Sequence, residues 1–258
     1  MDLLWLLLNS VQVVFAGLWS AFWISVALIV CALARSRRPG LALARRVWAP
    51  GILKAVGARL EVTGLERLDR SQPCFFAANH QSWIDIPALF AALPMPVLFV
   101  AKRELGRVPF LGWFLKAMGM VLVDRADRKG AARSVAAAAQ RLRQGWSLLS
   151  FPEGTRSRDG RLQGFKTATF AAAIEAGAPV VPIALAGAGR VLPRGSLRTR
   201  PGRIRIAIGE PILTAGLTRD QRADLARRAR GAVESLLAGQ RGGTFSALDA
   251  ATEPVPSS

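Results

Sequence analysis

The stretch Cys74-Phe75-Phe76-Ala77-Ala78-Asn79-His80-Gln81-Ser82-Trp83-Ile84-Asp85 changes character at its middle. Five apolar residues, short enough for a buried strand, run into a polar loop, and Asp85 with Pro87 then opens an apolar helical pattern. Working outward, the same apolar run bounded by turn residues recurs at 97–101, 120–123, 147–151, 180–185 and 203–208. Helical stretches lie between several of them. Residues 129–144 are Ala-rich and stop at Gly145, and 167–176 stop at Gly177. Thr218-x-x-Gln221 reads as a capping box opening a helix that runs to Gly239. Strands alternating with helices of this length predict an α/β fold, a mixed sheet flanked by helices on both faces. No internal repeat is visible.

The first 34 residues read differently. Between Asp2 and Arg35 there is no charged side chain, and residues 3–34 as one helix would span roughly 48 Å, against roughly 30 Å of bilayer hydrocarbon. Trp5, Trp19 and Trp23 supply interfacial aromatics, and Arg35, Arg37 and Arg38 follow at once. Under the positive-inside rule these arginines stay in the cytoplasm and the N-terminus lies outside. Ala32-Leu33-Ala34 has the small-x-small form of a cleavage site, but Asp2 replaces the basic leader of a signal peptide and the apolar stretch is too long. Two readings remain, a single span or a helical hairpin turning near Gly17 and lying half in the membrane. Either makes residues 1–38 a membrane anchor. Residues 39–58, apolar with Arg45, Arg46, Lys54 and Trp48 interspersed, read as an amphipathic interfacial helix or as a connector packed on the domain. The α/β domain then occupies 59–240, and 241–258, rich in Gly, Ala, Pro and Ser, form a flexible C-terminal tail.

Composition narrows the partners. The chain has 258 residues, a net charge of +18 and 51% hydrophobic residues, an unusual pairing of basic and oily. That balance suits anionic membrane lipids. A nucleic-acid binder would explain the charge, but it needs no apolar anchor, and no basic–aromatic RNA motif is present. Five lysines (54, 102, 116, 129 and 166) leave thirty arginines, which a GC-rich genome alone would produce. Two cysteines exclude a disulfide scaffold, and Cys74 in its apolar run reads as inert core. With one histidine and no tyrosine, His-cluster metal sites and Tyr nucleophiles are unavailable, and any imidazole chemistry falls to His80.

His80 and Asp85 are five residues apart, which on a regular helix turns roughly 140° and separates them. They meet only if the intervening loop is irregular and Asp85 starts the next helix as its N-cap. The carboxylate would then hold one ring nitrogen and leave the other as a base. Standing alone, the pair reads rather as a loop histidine bonded to backbone. A second strand-end block, Ser150-Phe151-Pro152-Glu153-Gly154-Thr155-Arg156-Ser157, followed by Gly164-Phe165-Lys166, changes that balance.

Together with Lys102-Arg103-Glu104-Leu105-Gly106, the Asp124-Arg125 pair and Val180-Val181-Pro182-Ile183, these blocks resemble the 1-acyl-sn-glycerol-3-phosphate acyltransferases among the glycerolipid acyltransferases. The resemblance covers roughly 60–209 in the right order. It implies a glycerolipid acyltransferase-like sheet and O-acyl transfer from an acyl carrier protein or coenzyme A thioester to the sn-2 hydroxyl of 1-acylglycerol-3-phosphate. Phosphatidic acid for phospholipid biosynthesis would be the product. In that reading His80 is the general base and Asp85 orients it. Arg156 binds the acceptor phosphate, Glu153 positions the loop or a substrate hydroxyl, and Gly154 and Thr155 complete the substrate-binding turn. Lys102 and Arg125 are further phosphate contacts, with Lys166 a similar candidate. The acceptor hydroxyl itself attacks the thioester, in keeping with a chain that lacks a Gly-x-Ser-x-Gly elbow. The resemblance implies no cofactor and no metal. It places the enzyme at the bacterial inner membrane with its site toward the cytoplasm. The Val-Pro-Ile strand would line an acyl tunnel. After it, Ala184-Leu185-Ala186-Gly187-Ala188-Gly189 reads as a tight turn that leaves the acceptor headgroup open. A lyso-ornithine lipid acceptor remains an alternative, and a membrane-bound pseudoenzyme a remoter one.

Overall fold

The computed structural model describes residues 2–124 and 128–242. In chain order its elements begin with helix α1 (Asp2–Ala34) and a continuous helical run of α2 (Arg38–Leu43), a π-helical turn (Ala44–Trp48) and α3 (Ala49–Ala55). Then come β1 (Ala58–Thr63), β2 (Phe75–Ala78), α4 (Asp85–Ala92), β3 (Val97–Lys102), α5 (Leu111–Met118), β4 (Val121–Val123) and α6 (Arg128–Arg143). The chain closes with β5 (Ser147–Ser150), α7 (Ala168–Ala176), β6 (Val180–Ala186), the short α8 (Ala188–Val191), β7 (Gly202–Ile208) and α9 (Arg222–Gly242). Among the described residues the strands form one seven-stranded sheet in the order β1-β7-β6-β2-β5-β3-β4. The block β6-β2-β5-β3-β4 is parallel, β7 runs antiparallel to β6, and β1 pairs parallel with β7. The mixed sheet expected from the alternation is therefore present. Edge strand β1 was not resolved by the sequence pattern, because its half-exposed residues give no clean apolar run.

The connections explain where a ligand fits. From β2 the chain moves through α4 toward β3, whereas from β4 to β5 and from β5 to β6 it moves the opposite way through α6 and α7. Right-handed crossovers put α4 on one face and α6 and α7 on the other, where α7 packs on both α6 and α9. Adjacent strands β2 and β5 thus send their chains to opposite faces. The crevice beyond their C-terminal ends is the topological switch point, the usual ligand site of open α/β sheets. Around it the core is close-packed, with Phe75 and Phe76 fully buried on β2 and Phe75 against Phe170 of α7 at 5.7 Å.

Helix α1 is continuous from Asp2 to Ala34, so no hairpin turns at Gly17. Its stretch Leu7–Ala34 is long and apolar enough to cross a membrane. Yet the helix is joined to the domain along its length. Asn9 accepts from the Thr199 N–H at 2.6 Å, Gln12 donates to the Ala55 carbonyl at 2.9 Å, and the Trp19 indole donates to the Trp48 carbonyl at 3.1 Å. Near its end, Cys31 lies beside Gly40. The opposite stripe, Val11, Val14, Leu18, Phe22, Ile29 and Leu33, is exposed at helical spacing. For residues 39–58, the apolar side chains Leu41, Ala49, Ile52 and Leu53 are buried against the domain, while Arg46 and Lys54 face outward. The apolar side of this segment is covered by α1, α4 and the edge strand β1. The tail expected at 241–258 lies, from residue 243 on, outside the described residues.

Candidate active site

Four sequence blocks emerge at the same edge of the sheet, because β6, β2, β5 and β3 are adjacent and parallel. The loop after β2 is tied down before it reaches His80. The buried Asn79 amide donates to the Leu185 carbonyl at 2.9 Å and accepts from the Leu185 N–H at 2.7 Å, continuing the β2–β6 ladder through a side chain. Ser82 donates its hydroxyl to the Leu192 carbonyl at 2.6 Å. Between these two anchors the loop curls back on Asp85.

Asp85, with 0% of its surface exposed, does not cap its helix as expected. It is the first helical residue, and its carboxylate caps the preceding loop instead. Oδ2 accepts from the backbone N–H of Gln81 at 2.7 Å and of Ser82 at 2.8 Å, and lies 2.7 Å from His80 Nδ1. An ionised carboxylate has no proton to give, so Nδ1 carries the hydrogen and Nε2 is left as the acceptor. The ring is also stacked on Phe151 of the β5 loop, 3.9 Å between centroids at 13°. Its plane is therefore held from the side and its rotation from one nitrogen.

Glu153, also buried, reaches across the crevice from the β5 loop. Its carboxylate accepts from the His80 N–H at 2.7 Å and the Gln163 N–H at 3.0 Å, while Ser157 N–H donates to the His80 carbonyl at 2.8 Å. Burial pushes the Glu153 carboxyl up, and the two backbone donors pull it partly back. All its described partners are backbone groups of the two loops, so it positions the loops. Gly154 adopts φ +78°, which keeps the turn after Glu153 free of a strained side chain. Thr155 is exposed beside it.

Arg156 lies with its guanidinium 4.5 Å from the centre of the Trp83 ring. Arg194, from the segment after α8, donates to the Arg156 carbonyl, and its charge adds to burial in pulling the Arg156 guanidinium below its ordinary value. Arginine stays protonated regardless, so two guanidinium groups face the crevice. Sequence reasoning missed Arg194, Trp83, Asn79 and Ser82. Trp83, Asn79 and Ser82 lay inside the strand-end stretch without an assigned role, and for Arg194 the only hint was the small-residue turn after β6, where Gly187 at φ +91° redirects the chain.

A cavity of about 350 Å³ begins at His80, Arg156 and Arg194 and runs between the helices on the α4 face. Its walls are apolar: Trp23 and Ala27 from α1, Ala44 and Trp48 from the π turn, Phe90, Phe99 and Phe114. Lys102 ends β3 at the same cavity and is exposed. Lys166 is exposed and takes no part in the lining, and Arg125 lies outside the described residues. The Val-Pro-Ile strand β6 does not line the cavity, contrary to expectation. It is fully buried on the other side of β2, where it braces the His80 loop through Asn79. Cys74 is buried and its thiol is pushed up to about 11, chiefly by burial, so no thiolate forms near neutral pH.

Comparison with known proteins identifies the family. The family model described as Acyltransferase matches residues 59–186. A 1-acyl-sn-glycerol-3-phosphate acyltransferase of Pseudomonas aeruginosa is 34% identical over 193 residues, 74% of this chain and 73% of the relative. The human alpha enzyme of that name is 33% identical over 214 residues, 82% and 75% of the two chains. A chloroplastic enzyme of Brassica napus is 38% identical over 156 residues, 60% of this chain and 45% of the relative, and the chain spans about half the length of such plant and algal relatives. The crystal structure of the 1-acyl-sn-glycerophosphate acyltransferase PlsC from Thermotoga maritima superposes with a TM-score of 0.74 at 27% identity, covering 90% of this chain and 96% of that one. The sheet order, the paired strand-end loops and these relatives together lead to one conclusion: the chain belongs to the 1-acyl-sn-glycerol-3-phosphate acyltransferase family.

Proposed function

We propose that this protein transfers a fatty acyl chain from an acyl carrier protein or coenzyme A thioester to the sn-2 hydroxyl of 1-acylglycerol-3-phosphate, forming phosphatidic acid. One observation carries the reading. The His80–Asp85 pair stands at the mouth of an apolar cavity, with the Arg156 and Arg194 charges beside it. His80 Nε2 takes the proton of the acceptor hydroxyl as its oxygen attacks the thioester carbonyl. The tetrahedral adduct then expels the thiolate, which takes that proton from the imidazolium and leaves as the thiol. Asp85 holds the tautomer and balances the transient positive ring, a role its two additional backbone donors fix in place. Arg156 supplies a planar fork for the acceptor phosphate, and Lys102 a further charge at the same cavity. The apolar walls take an acyl chain.

The membrane reading rests on α1. A helix apolar on both faces, one packed on the domain and the other outward, needs lipid against the outward face. Its contacts with the domain run from Asn9 to Cys31, roughly 33 Å of helix, so a perpendicular crossing would drag the domain's flank into hydrocarbon. The proposal is therefore that α1 lies along the surface, half sunk, on the cytoplasmic side of a bacterial inner membrane where the acyl thioesters are.

The test supplies labelled acyl donor to membranes containing the full chain, with a panel of lysolipids that includes lysophosphatidate and lyso-ornithine lipid. Product chromatography against a His80→Ala blank should give phosphatidate. Label appearing only in ornithine lipid would replace the acceptor, and equal label in the blank would remove His80 from the chemistry.

A further inference from the structure

Four side chains beside the cavity, Val108, Pro109, Phe110 and Trp113, are used by neither the quoted motifs nor the cavity lining. Val108, Pro109, Phe110 and Trp113 are exposed, Phe110 by 41% and Trp113 by 55%, and the two rings pack together at 5.0 Å. Phe110 has φ +59° and ψ −60°, and the Leu111 N–H donates to the Pro109 carbonyl at 2.6 Å. This is the strained form of the γ-turn, rare for any residue and costly for one carrying a large side chain. The turn is built rigidly. Gly112 sits directly on the Gly106 carbonyl, 2.4 Å from where a Cβ would be, and its N–H donates to the Val108 carbonyl at 2.7 Å. Strain of this kind clusters at functional sites, and here it holds an aromatic ring outward.

The surroundings indicate what the ring meets. Lys102, Arg107 and Lys116 are exposed around the turn, with Glu104 the one exposed carboxylate among residues 102–117. Aromatic side chains with a cationic fringe match the interface of an anionic bilayer, where rings enter the headgroup region and cations meet phosphates. Position adds a third argument. Leu111, Phe114 and Leu115, directly after the turn, form one wall of the acyl cavity, and Trp23, Ile24 and Ala27 of α1 form another. Helices α1 and α5 also touch each other directly.

We propose that residues 108–113 are a second membrane contact, a rigid aromatic knuckle that docks on an anionic lipid surface and brings the α5 wall of the cavity down to the bilayer. The inference rests on the membrane-bound reading of α1, and it adds a fixed tilt. Two separated contacts, one along α1 and one at the knuckle, define how the domain sits, so that an acyl chain passes between lipid and cavity beside α5.

The experiment uses the full chain with Cys31→Ser, since Cys74 is buried and unreactive. Nitroxide labels are placed singly at Val14→Cys, Phe110→Cys and Ser235→Cys, and their accessibility to oxygen and to a water-soluble nickel reagent is compared in phosphatidylcholine vesicles containing phosphatidylglycerol. The expected result is a several-fold rise in oxygen preference at positions 14 and 110, and none at 235 on exposed α9. A lipid-immersed label at 14 with a water-exposed one at 110 overturns the knuckle and leaves the α1 reading standing. Aqueous labels at both positions overturn both. Hydrogen exchange on the unsubstituted chain checks the labelling: amides 108–114 should slow several-fold on adding these vesicles. No slowing there, or slowing only on adding an acidic acyl carrier protein, would overturn the proposal.

Discussion

The polar end of the site and its apolar end are held in opposite ways. At the His80 loop directed bonds do the holding: Asn79 and Ser82 are tied to the β6 side, Asp85 gathers three donors on one oxygen while its other oxygen is buried without a partner, and Glu153 joins the two loops. In the cavity the walls are Phe, Trp, Leu and Ala surfaces from five different elements, with no hydrogen bond fixing an occupant. The difference separates two jobs. Directional bonds set the position of a reacting atom within tenths of an ångström, whereas nondirectional packing measures only volume and length. Substitutions at the polar end should therefore change how fast the protein works, and those at the apolar end which chain it accepts.

The sharpest break is His80→Ala. Loss of a general base should lower kcat by roughly 10³-fold, with the melting temperature nearly unchanged, because the ring is held by the loop rather than holding it. A small rate loss would mean the polar end does not carry the chemistry. Asp85→Asn should cost roughly 10²-fold in kcat by loosening the tautomer. It should also destabilise the fold by about 1–3 kcal/mol, since the amide oxygen can take the three donors but its NH2 is then buried without an acceptor in the place of the unpartnered Oδ1. Unfolding titrations beside the assay separate the two effects. Arg156→Ala should raise the acceptor KM by roughly 10- to 100-fold, the worth of charge-assisted hydrogen bonds, while the thioester KM stays within about twofold. Arg156→Lys should recover only part of this, because an ammonium lacks the planar fork.

The apolar end sharpens the contrast with smaller effects. Ala44→Leu adds three carbons to the cavity wall, and each displaced methylene of an occupant is worth roughly 0.8 kcal/mol. The longest acyl donors should lose efficiency several-fold, shorter ones should not, and kcat on the short donors should hold. Competition between donors of different length reads this directly. Least of all should happen at Cys74. With its thiol pushed up to about 11, iodoacetamide in the folded state should leave it unmodified at pH 8 and spare activity. Rapid modification there would reveal an opening of the β2–β5 core that the packing denies.

Legibility followed the range of the interactions. The alternation of apolar runs with capped helices is local, and it announced the mixed sheet and most of its strands. The edge strand β1, half-exposed and paired only with a strand from the far end of the domain, left no local trace. His80 and Asp85 were visible as residue types at a suggestive spacing, but their meeting depended on a loop folded onto β6 more than a hundred positions away. Asp85 as a helix cap was a local expectation overruled by two backbone donors of the loop before it. Arg194 carried no motif at all, and Phe151, though part of the Phe151-Pro152-Glu153-Gly154 block, gave no local sign that its ring would stack on His80.

By itself, then, the amino-acid order determined the chemical inventory: one imidazole, a carboxylate five places on, a guanidinium after a Glu-Gly-Thr turn, and an uncharged leading helix too apolar for water. Tertiary structure alone decided that the helix lies along the domain instead of leaving it, that Val-Pro-Ile braces the loop instead of lining the cavity, and that a second arginine joins the first. The reason is physical. Residue type and spacing set what a segment prefers within a few turns of chain, but these outcomes depend on which distant surfaces the crossovers of one sheet bring into contact.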